Sequence, residues 1–209
     1  MNQEHLLTYF PDLSAEKLNQ LEHFVDALLS WNSKINLISR KDEEQIWGHH
    51  ILHCLSIAKF YDFKAGTRIL DVGTGGGLPG IPLAIFFPES HFHLIDGTAK
   101  KIMVVKDIAG QLNLNNVTAQ QVRLEDHNES YEFIVSRAVT HLGKFTSWLH
   151  PQSLVKKHRH DFPNGIIYLK GGEINQEIRE TSMKVRINHL SNIFKESFFQ
   201  TKKLIHLYH

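Results

Sequence analysis

One stretch concentrates residues suited to holding a ligand, and over positions 69–84 it reads Ile-Leu-Asp-Val-Gly-Thr-Gly-Gly-Gly-Leu-Pro-Gly-Ile-Pro-Leu-Ala. An apolar run ends at Asp71, and Gly73, Gly75 and Gly77 follow before apolar residues resume. Glycine allows positive φ angles and, lacking a Cβ atom, lets the backbone approach a ligand closely. A helix beginning after the loop offers free N–H groups and a positive dipole end. The stretch therefore predicts a strand, a binding loop and a helix that hold a nucleotide-like cofactor.

Two cofactor classes fit this loop. Residues 75–80 satisfy G-x-G-x-x-G, and Asp96 follows at about the distance expected of a nicotinamide-binding site. However, the glycines begin two residues after Asp71, and Asp-x-Gly-x-Gly-x-Gly resembles the first motif of class I methyltransferases that use S-adenosylmethionine. The sulfonium and ammonium groups of that cofactor favour an acidic residue, which acts directly or by ordering the loop; a structural cap on the turn fits the same position. In either class Asp96 would accept hydrogen bonds from ribose hydroxyls.

Arg137 and Glu125 are further candidates. Arg137 follows the apolar residues 133–135, so it is predicted to lie at the carboxyl edge of a sheet, where open α/β folds bind ligands. A surface arginine paired with a carboxylate would fit this position equally well, and Glu125 alone resembles a solvated loop charge. Lys100 and Lys101 start a predicted helix, which the helix dipole disfavours, so a nearby acceptor phosphate is one explanation and ordinary exposure the other.

The histidines and the cysteine are weaker candidates. His49 and His53 have the i, i+4 spacing of a zinc-binding pair, with His50 between them, but no third ligand or H-E-x-x-H pattern accompanies them. We therefore predict no metal site. Cys54 lies on an apolar helical face and is predicted to belong to the core.

The elements that position these residues form two regions. Residues 1–65 contain two helical patterns, 14–32 and 43–60, which predict an N-terminal helical cap. Residues 66–209 alternate strands with helices, which predicts a doubly wound, mostly parallel Rossmann-like sheet. The predicted strands are 68–72, 91–95, 117–122, 133–136 and 165–170, with helices at 99–112, 142–149 and 174–183 and a closing antiparallel pair at 185–190 and 203–208.

Composition limits the protein class. A chain of 209 residues that is 42% hydrophobic can bury a core, so intrinsic disorder is excluded. The net charge of +1 argues against binding nucleic acid by bulk charge, although ten Lys/Arg against five Asp/Glu after position 150 leave a basic C-terminal third. We find no signal-peptide core and no apolar run approaching the roughly 18 residues of a membrane span. With Cys54 as the only cysteine, a cytoplasmic protein is expected.

The sequence resembles the glucose-inhibited division protein B family, the bacterial small-subunit ribosomal RNA methyltransferases that make 7-methylguanosine. The most specific match is residues 71–84, because Leu-Pro-Gly-Ile-Pro is unusual among methyltransferases. Two departures from the family pattern are His53-Cys54, where Asp-Ser is usual, and Gly97, where serine is usual. Further matches are Trp31-Asn32, Asn36-Leu37, the His50-Ile-Leu run, Asp96 with Lys100-Lys101, Arg123-Leu124-Glu125, Ser136-Arg137-Ala138 and Lys170-Gly171.

The resemblance implies a class I fold and methyl transfer from S-adenosylmethionine to guanine N7 in 16S ribosomal RNA. It further implies that Gly73 and Leu78 line the cofactor, that Leu124 and Glu125 lie beside the adenine, and that Arg137 lies at the cofactor and acceptor site, where it is a candidate for positioning the acceptor. The expected partner is 16S RNA or the small ribosomal subunit, bound by a monomer. Alternatives that stay open are a methyltransferase of the same fold acting on a small molecule or protein, and a non-catalytic RNA-binding ribosome-assembly protein.

Overall fold

The computed structural model describes residues 3–137 and 140–209, so Ala138 of the family match lies outside the described residues. In these ranges seven strands form one sheet in the order β3-β2-β1-β4-β5-β7-β6. Strands β1 to β5 pair in parallel, and β7 pairs antiparallel with both β5 and β6. The strands are β1 (Arg68–Val72), β2 (His91–Asp96), β3 (Val117–Gln121), β4 (Phe133–Arg137), β5 (Gly165–Gly171), β6 (Lys184–His189) and β7 (Lys202–Tyr208).

The predicted strands are confirmed to within about two residues at each end, including the closing antiparallel pair. The helices after β1 and β2 are also as predicted, whereas the two later ones are shorter than the predicted 142–149 and 174–183. The helices are α1 (Leu6–Tyr9), α2 (Ala15–Asn32), α3 (His53–Leu55), α4 (Gly80–Phe86), α5 (Ala99–Gln111), α6 (Leu142–Ser147) and α7 (Asn175–Arg179).

The first predicted helix is confirmed as α2, and the Ser14 side chain accepts a hydrogen bond from the Lys17 N–H at 3.3 Å, as an N-cap does. The second is helical but irregular. It consists of a 3₁₀ segment, a π-helical segment, the short α3 and a second 3₁₀ segment, at Arg40–Gln45, Trp47–Leu52, His53–Leu55 and Ser56–Lys59. Residues 50–57 are all buried, so this part of the segment has no solvent face to give a regular amphipathic pattern.

The sheet separates two apolar cores. Successive residues of its central strands point to opposite faces, and both faces are buried. Ile69 and Phe133 face one core, whereas Leu70 and Ile134 face the other. The first core also contains Phe24 of α2, so the N-terminal helices and the sheet share one continuous core. The division at residues 65 and 66 stays a prediction.

No helix within residues 3–137 and 140–209 is both long and apolar enough to cross a membrane.

Candidate cofactor and acceptor site

The loop after β1 is built around a buried carboxylate. Asp71 is completely buried, and its Oδ2 atom accepts hydrogen bonds from the Thr74 hydroxyl at 2.6 Å and the Gly80 N–H at 2.9 Å. Burial raises the pKa of Asp71 to about 7. Of the alternatives open for this residue, the geometry supports ordering of the loop, because Asp71 ties its start to its end and is sealed from solvent.

The glycines of the loop serve backbone geometry. Gly73, Gly75 and Gly77 have φ angles of +68°, +59° and +93°, a region that residues with a Cβ atom rarely adopt. At Gly77 a Cβ atom would also lie 2.5 Å from the Ile81 side chain. Leu78 is buried in the apolar core. Gly73 lines the cavity described next, whereas Gly75, Gly77 and Leu78 are not among its lining residues.

A cavity of 530 Å³ opens at the carboxyl edge of the sheet, beside the loop. It lies where the strand order reverses, with β2 on one side of β1 and β4 on the other, which is the usual ligand position in open α/β sheets. Five residues proposed from the sequence line it together: Gly73, Asp96, Leu124, Glu125 and Arg137. The other lining residues are Val72, Ile95, Gly97, Thr98, Lys101, Val122, Arg123 and Trp148.

Asp96 connects the glycine loop to the cavity. Its carboxylate accepts hydrogen bonds from the Gly75 N–H at 3.2 Å and the Thr98 N–H at 2.9 Å. The Lys101 ammonium lies 3.7 Å from Asp96 Oδ2, so a carboxylate accounts for one of the two lysines at the start of α5. Asp96 is mostly buried, yet it borders the cavity and keeps lone pairs that can accept from a ligand.

Arg137 ends β4 and contacts the helical cap. Its Nη1 atom donates to Nδ1 of His50 at 2.9 Å. Burial and the Arg137 charge lower the pKa of His50 to about 3, so the imidazole is neutral. Of the two readings of Arg137 given by the sequence, a cavity-lining residue and a surface ion pair, the structure shows the first.

Trp148 is a lining residue that the sequence did not indicate. It follows α6, more than fifty residues after Asp96, and reaches the cavity through the packing of α6 on the sheet. Arg123 was noted only as part of the family match. No short-range pattern marks either residue, because a single tryptophan or arginine in a polar segment fits many roles.

The predicted histidine cluster does not form a metal-ligand set among the described residues. His49 pairs with Asp42 at 2.9 Å and stacks on Phe198 at 4.0 Å, whereas His53 is buried beneath them. Cys54 is completely buried, and burial raises its pKa to about 12, which agrees with a core role.

A different group, not anticipated from the sequence, brings possible metal ligands together: His93, His127 and Glu129, with ligand atoms within 4.8 Å of one another. The Tyr131 hydroxyl contacts both imidazoles, at 2.5 Å and 2.9 Å. Glu129 pairs with Arg68 at 2.7 Å. Tyr131 and Arg68 already engage these side chains, and we assign no metal there.

Comparison with known proteins settles the family. The family model described as rRNA small subunit methyltransferase G matches residues 17–205. The chain belongs to this family. It is 48% identical over 204 residues to the ribosomal RNA small subunit methyltransferase G of Flavobacterium johnsoniae, covering 98% of this chain and 97% of the relative. The protein of that name in Bacteroides thetaiotaomicron is 45% identical over 203 residues, covering 97% and 98%.

A solved structure supports the fold. A SAM-dependent methyltransferase from Aquifex aeolicus superposes with a TM-score of 0.55 at 15% identity, covering 74% of this chain and 88% of that one. The predicted class I Rossmann-like fold is thereby confirmed, as are the family resemblance and the prediction of a methyltransferase that uses S-adenosylmethionine. The nicotinamide-dependent alternative is excluded by the family.

Proposed function

We propose that this protein transfers a methyl group from S-adenosylmethionine to N7 of a guanine in 16S ribosomal RNA. The observation that carries the proposal is the cavity at the carboxyl edge of the sheet, which joins the glycine loop, Asp96 and Arg137 in a chain of this family. The protein acts as a monomer in the cytoplasm, on the RNA or the small ribosomal subunit.

The lining residues fit the cofactor in chemistry. Asp96 accepts from the ribose hydroxyls, while Leu124 and Val122 give the adenine an apolar surface, with Glu125 and Trp148 at the rim. Gly73 allows the backbone to approach the methionine portion. When bound, the cofactor supplies a methyl group on a positively charged sulfur.

The acceptor needs little from the protein beyond alignment. Guanine N7 carries a free lone pair and no proton, so no general base is required. Among the described residues that line the cavity there is no histidine, cysteine or tyrosine, and its lysine, Lys101, lies beside Asp96. Holding the guanine in line with the methyl group supplies the entropic share of catalysis. We assign this positioning to Arg137.

The target guanine has to be accessible to the cavity. In an A-form helix N7 lies in the deep, narrow major groove, which side chains do not reach. The target is therefore in a loop or is extruded from its stack. The cations at the same edge of the sheet, Lys202 and Lys203 at the start of β7, lie where the flanking RNA backbone would pass.

The test uses RNA that carries 7-deazaguanine at the target position, identified first by mass mapping of modified nucleotides. This substitution removes the N7 lone pair and keeps the Watson–Crick edge, so methyl transfer should stop while RNA binding persists. On unmodified RNA, the single-turnover rate should stay nearly constant over the pH range in which the protein is folded. Methylation of the deaza substrate, or a rate that rises tenfold per pH unit, would contradict the proposal. RNA binding without any methylation would favour the assembly-protein alternative.

A further inference from the structure

A hydrogen bond between His50 and Arg137 joins the helical cap to the cavity, and the proposed function gives His50 no role. Arg137 Nη1 donates to His50 Nδ1 at 2.9 Å. His50 comes from the π-helical segment Trp47–Leu52 and is only 8% exposed, whereas Arg137 is half-buried and borders the cavity. The two residues are 87 positions apart in the chain, so the contact depends on the docking of the cap.

The direction of this hydrogen bond determines which ring nitrogen of His50 carries the proton. An arginine side chain can only donate, so Nδ1 must carry the lone pair and the ring proton must be on Nε2. Burial and then the Arg137 charge favour the neutral ring, and they outweigh the opposing charge of Asp42, so the pKa of His50 falls to about 3. The acceptor atom facing Arg137 is therefore available at every pH near neutrality.

The bond also restricts the side chain that we place against the acceptor. An unrestrained arginine samples many rotamers, and fixing it costs entropy when a ligand binds. The buried imidazole of His53 also lies within reach of the Arg137 charge. Burial, and then this charge, lower the pKa of His53, so it too is neutral. A neutral, buried acceptor beside a permanently charged guanidinium can hold one end of it while its other N–H groups face the cavity.

We propose that His50 is a positioning residue for methyl transfer, which holds the Arg137 guanidinium toward the acceptor guanine and so couples the helical cap to the reaction. The inference rests on the proposed function. Because N7 must keep its lone pair free to attack, the group that Arg137 contacts on the base is the neighbouring O6. His50 acts through Arg137 and does not touch the cofactor.

The test compares two variants of His50. In His50→Asn, the amide oxygen is as many bonds from the backbone as Nδ1 and can accept from Arg137, whereas His50→Leu removes the acceptor. The leucine variant should lower the single-turnover methylation rate about tenfold to a hundredfold, the range of one charge-assisted hydrogen bond. The asparagine variant should stay within about threefold of the parent. S-adenosylhomocysteine affinity should change by less than about twofold in both, because the bond positions the acceptor.

A double-mutant cycle separates positioning from general packing. In an Arg137→Ala background, His50→Leu should have almost no further effect on the rate, since the group that it holds is gone. His206→Asn is the matched control, because His206 is a completely buried imidazole on β7 that does not line the cavity. It should lower the melting temperature without the rate loss of His50→Leu. If the leucine variant does not fold, His50→Ala replaces it.

Three results would overturn the inference: equal losses in the asparagine and leucine variants, a full loss that persists in the Arg137→Ala background, or a fall in cofactor affinity that accounts for the rate. The proposed function fails separately. A folded parent protein that binds 16S RNA and S-adenosylmethionine yet leaves N7 unmethylated would refute the proposed function and this inference with it. An active parent whose rate is insensitive to His50→Leu would refute the inference alone.

Discussion

Asp71 and Asp96 lie at the carboxyl ends of neighbouring parallel strands, Asp71 one residue before the end of β1 and Asp96 at the end of β2, and their different surroundings give them different roles. Asp71 is sealed below the loop, where its hydrogen bonds to Thr74 and Gly80 fix the backbone. Asp96 faces the cavity and receives one N–H from the loop and one from the start of α5. One carboxylate shapes the binding loop, and the other is placed to recognise the ligand.

Replacing Asp96 with alanine should weaken S-adenosylmethionine binding more than it lowers the stability of the fold. The loss of charge-assisted hydrogen bonds to ribose should cost about 1.5 to 3 kcal/mol of cofactor affinity. Calorimetry measures this value. Asp96→Asn keeps one acceptor oxygen, for either the Gly75 or the Thr98 N–H, so it separates the loss of charge from the loss of the whole side chain. An unchanged cofactor affinity in a folded Asp96→Ala protein would contradict the assignment.

At the residue scale the sequence predicts which residues are candidates for the ligand site, but not whether each side chain faces the cavity or the interior. Gly73, Asp96 and Arg137 were expected at a ligand site because each follows a strand, and all three line the cavity. The same argument predicted that Asp71, which ends an apolar run, would also lie at the ligand site. Its side chain is instead completely buried beneath the loop. Trp148 was missed because it reaches the site only through the packing of a distant helix. Strand ends are local information, whereas burial and convergence are long-range properties.

At the element scale the strands and the first helix of the cap, α2, were predictable, whereas the second helical part of the cap was not. Strand residues buried on both faces form short apolar runs bounded by turn residues, so their ends can be placed from the sequence. The stretch predicted as one helix over 43–60 changes helical type three times between Arg40 and Lys59. Its residues 50–57 are all buried, which removes there the periodic pattern that would define the geometry. The contact between His50 and Arg137 therefore had no signal in the sequence.

Neutralising Lys202 and Lys203 together should weaken RNA binding and flatten its salt dependence. Strand β7 starts beside the end of β5, so both lysines lie at the edge that holds the cavity. Lys202 lies over the Phe198 ring at 4.4 Å, and the Lys203 ammonium donates to the Gly172 carbonyl at 2.5 Å. These contacts hold the cations at the surface and partly occupy them, so the slope of log affinity against log salt should fall by at most about 1.5.

The matched control for this pair is Lys156→Gln with Lys157→Gln, which removes the same charge from exposed positions before β5, at the opposite edge of the sheet. Affinity titrations over a series of salt concentrations should show a smaller slope for the Lys202 and Lys203 variant only. Equal slopes for both pairs and the parent would mean that the basic C-terminal third is ordinary solvated surface.

At the scale of the whole molecule, buried neutral histidines couple stability to pH. Burial, with nearby arginine charges, lowers the pKa of His50 to about 3 and that of His206 to about 4, and it lowers the pKa of His53 well below its usual value. A lowered pKa means that the unfolded chain binds the proton more readily than the folded one. The stability that these groups contribute is complete above pH 6.5 and is lost as the pH falls.

Asp71 changes the pH dependence of stability in the opposite direction, but it is one group against several histidines. Its pKa is raised to about 7, so the folded protein keeps a proton that the unfolded chain releases between pH 4 and 7. Its contribution therefore increases as the pH falls through that range. The ion-paired Glu132 and Glu177 have lowered pKa values, so they lose their contribution only at more acid pH. Between pH 7 and 5, these three histidines outweigh one aspartate, and the lowered pKa values of His93, His127 and His160 act in the same direction.

We therefore expect the protein to be less stable at pH 5.5 than at pH 7.5. Each histidine changes the unfolding free energy by about 1.4 kcal/mol per pH unit below its unfolded pKa, so a net difference of at least about two protons gives roughly 3 kcal/mol per unit or more. Urea unfolding at several pH values measures this slope. His206→Gln should reduce it by about one proton, whereas His23→Gln, at an exposed position of α2, should leave it unchanged. A stability that stays constant from pH 7.5 to 5.5 would show that these imidazoles gain compensating partners on protonation, and the neutral state assigned to His50 beside Arg137 would have to be abandoned.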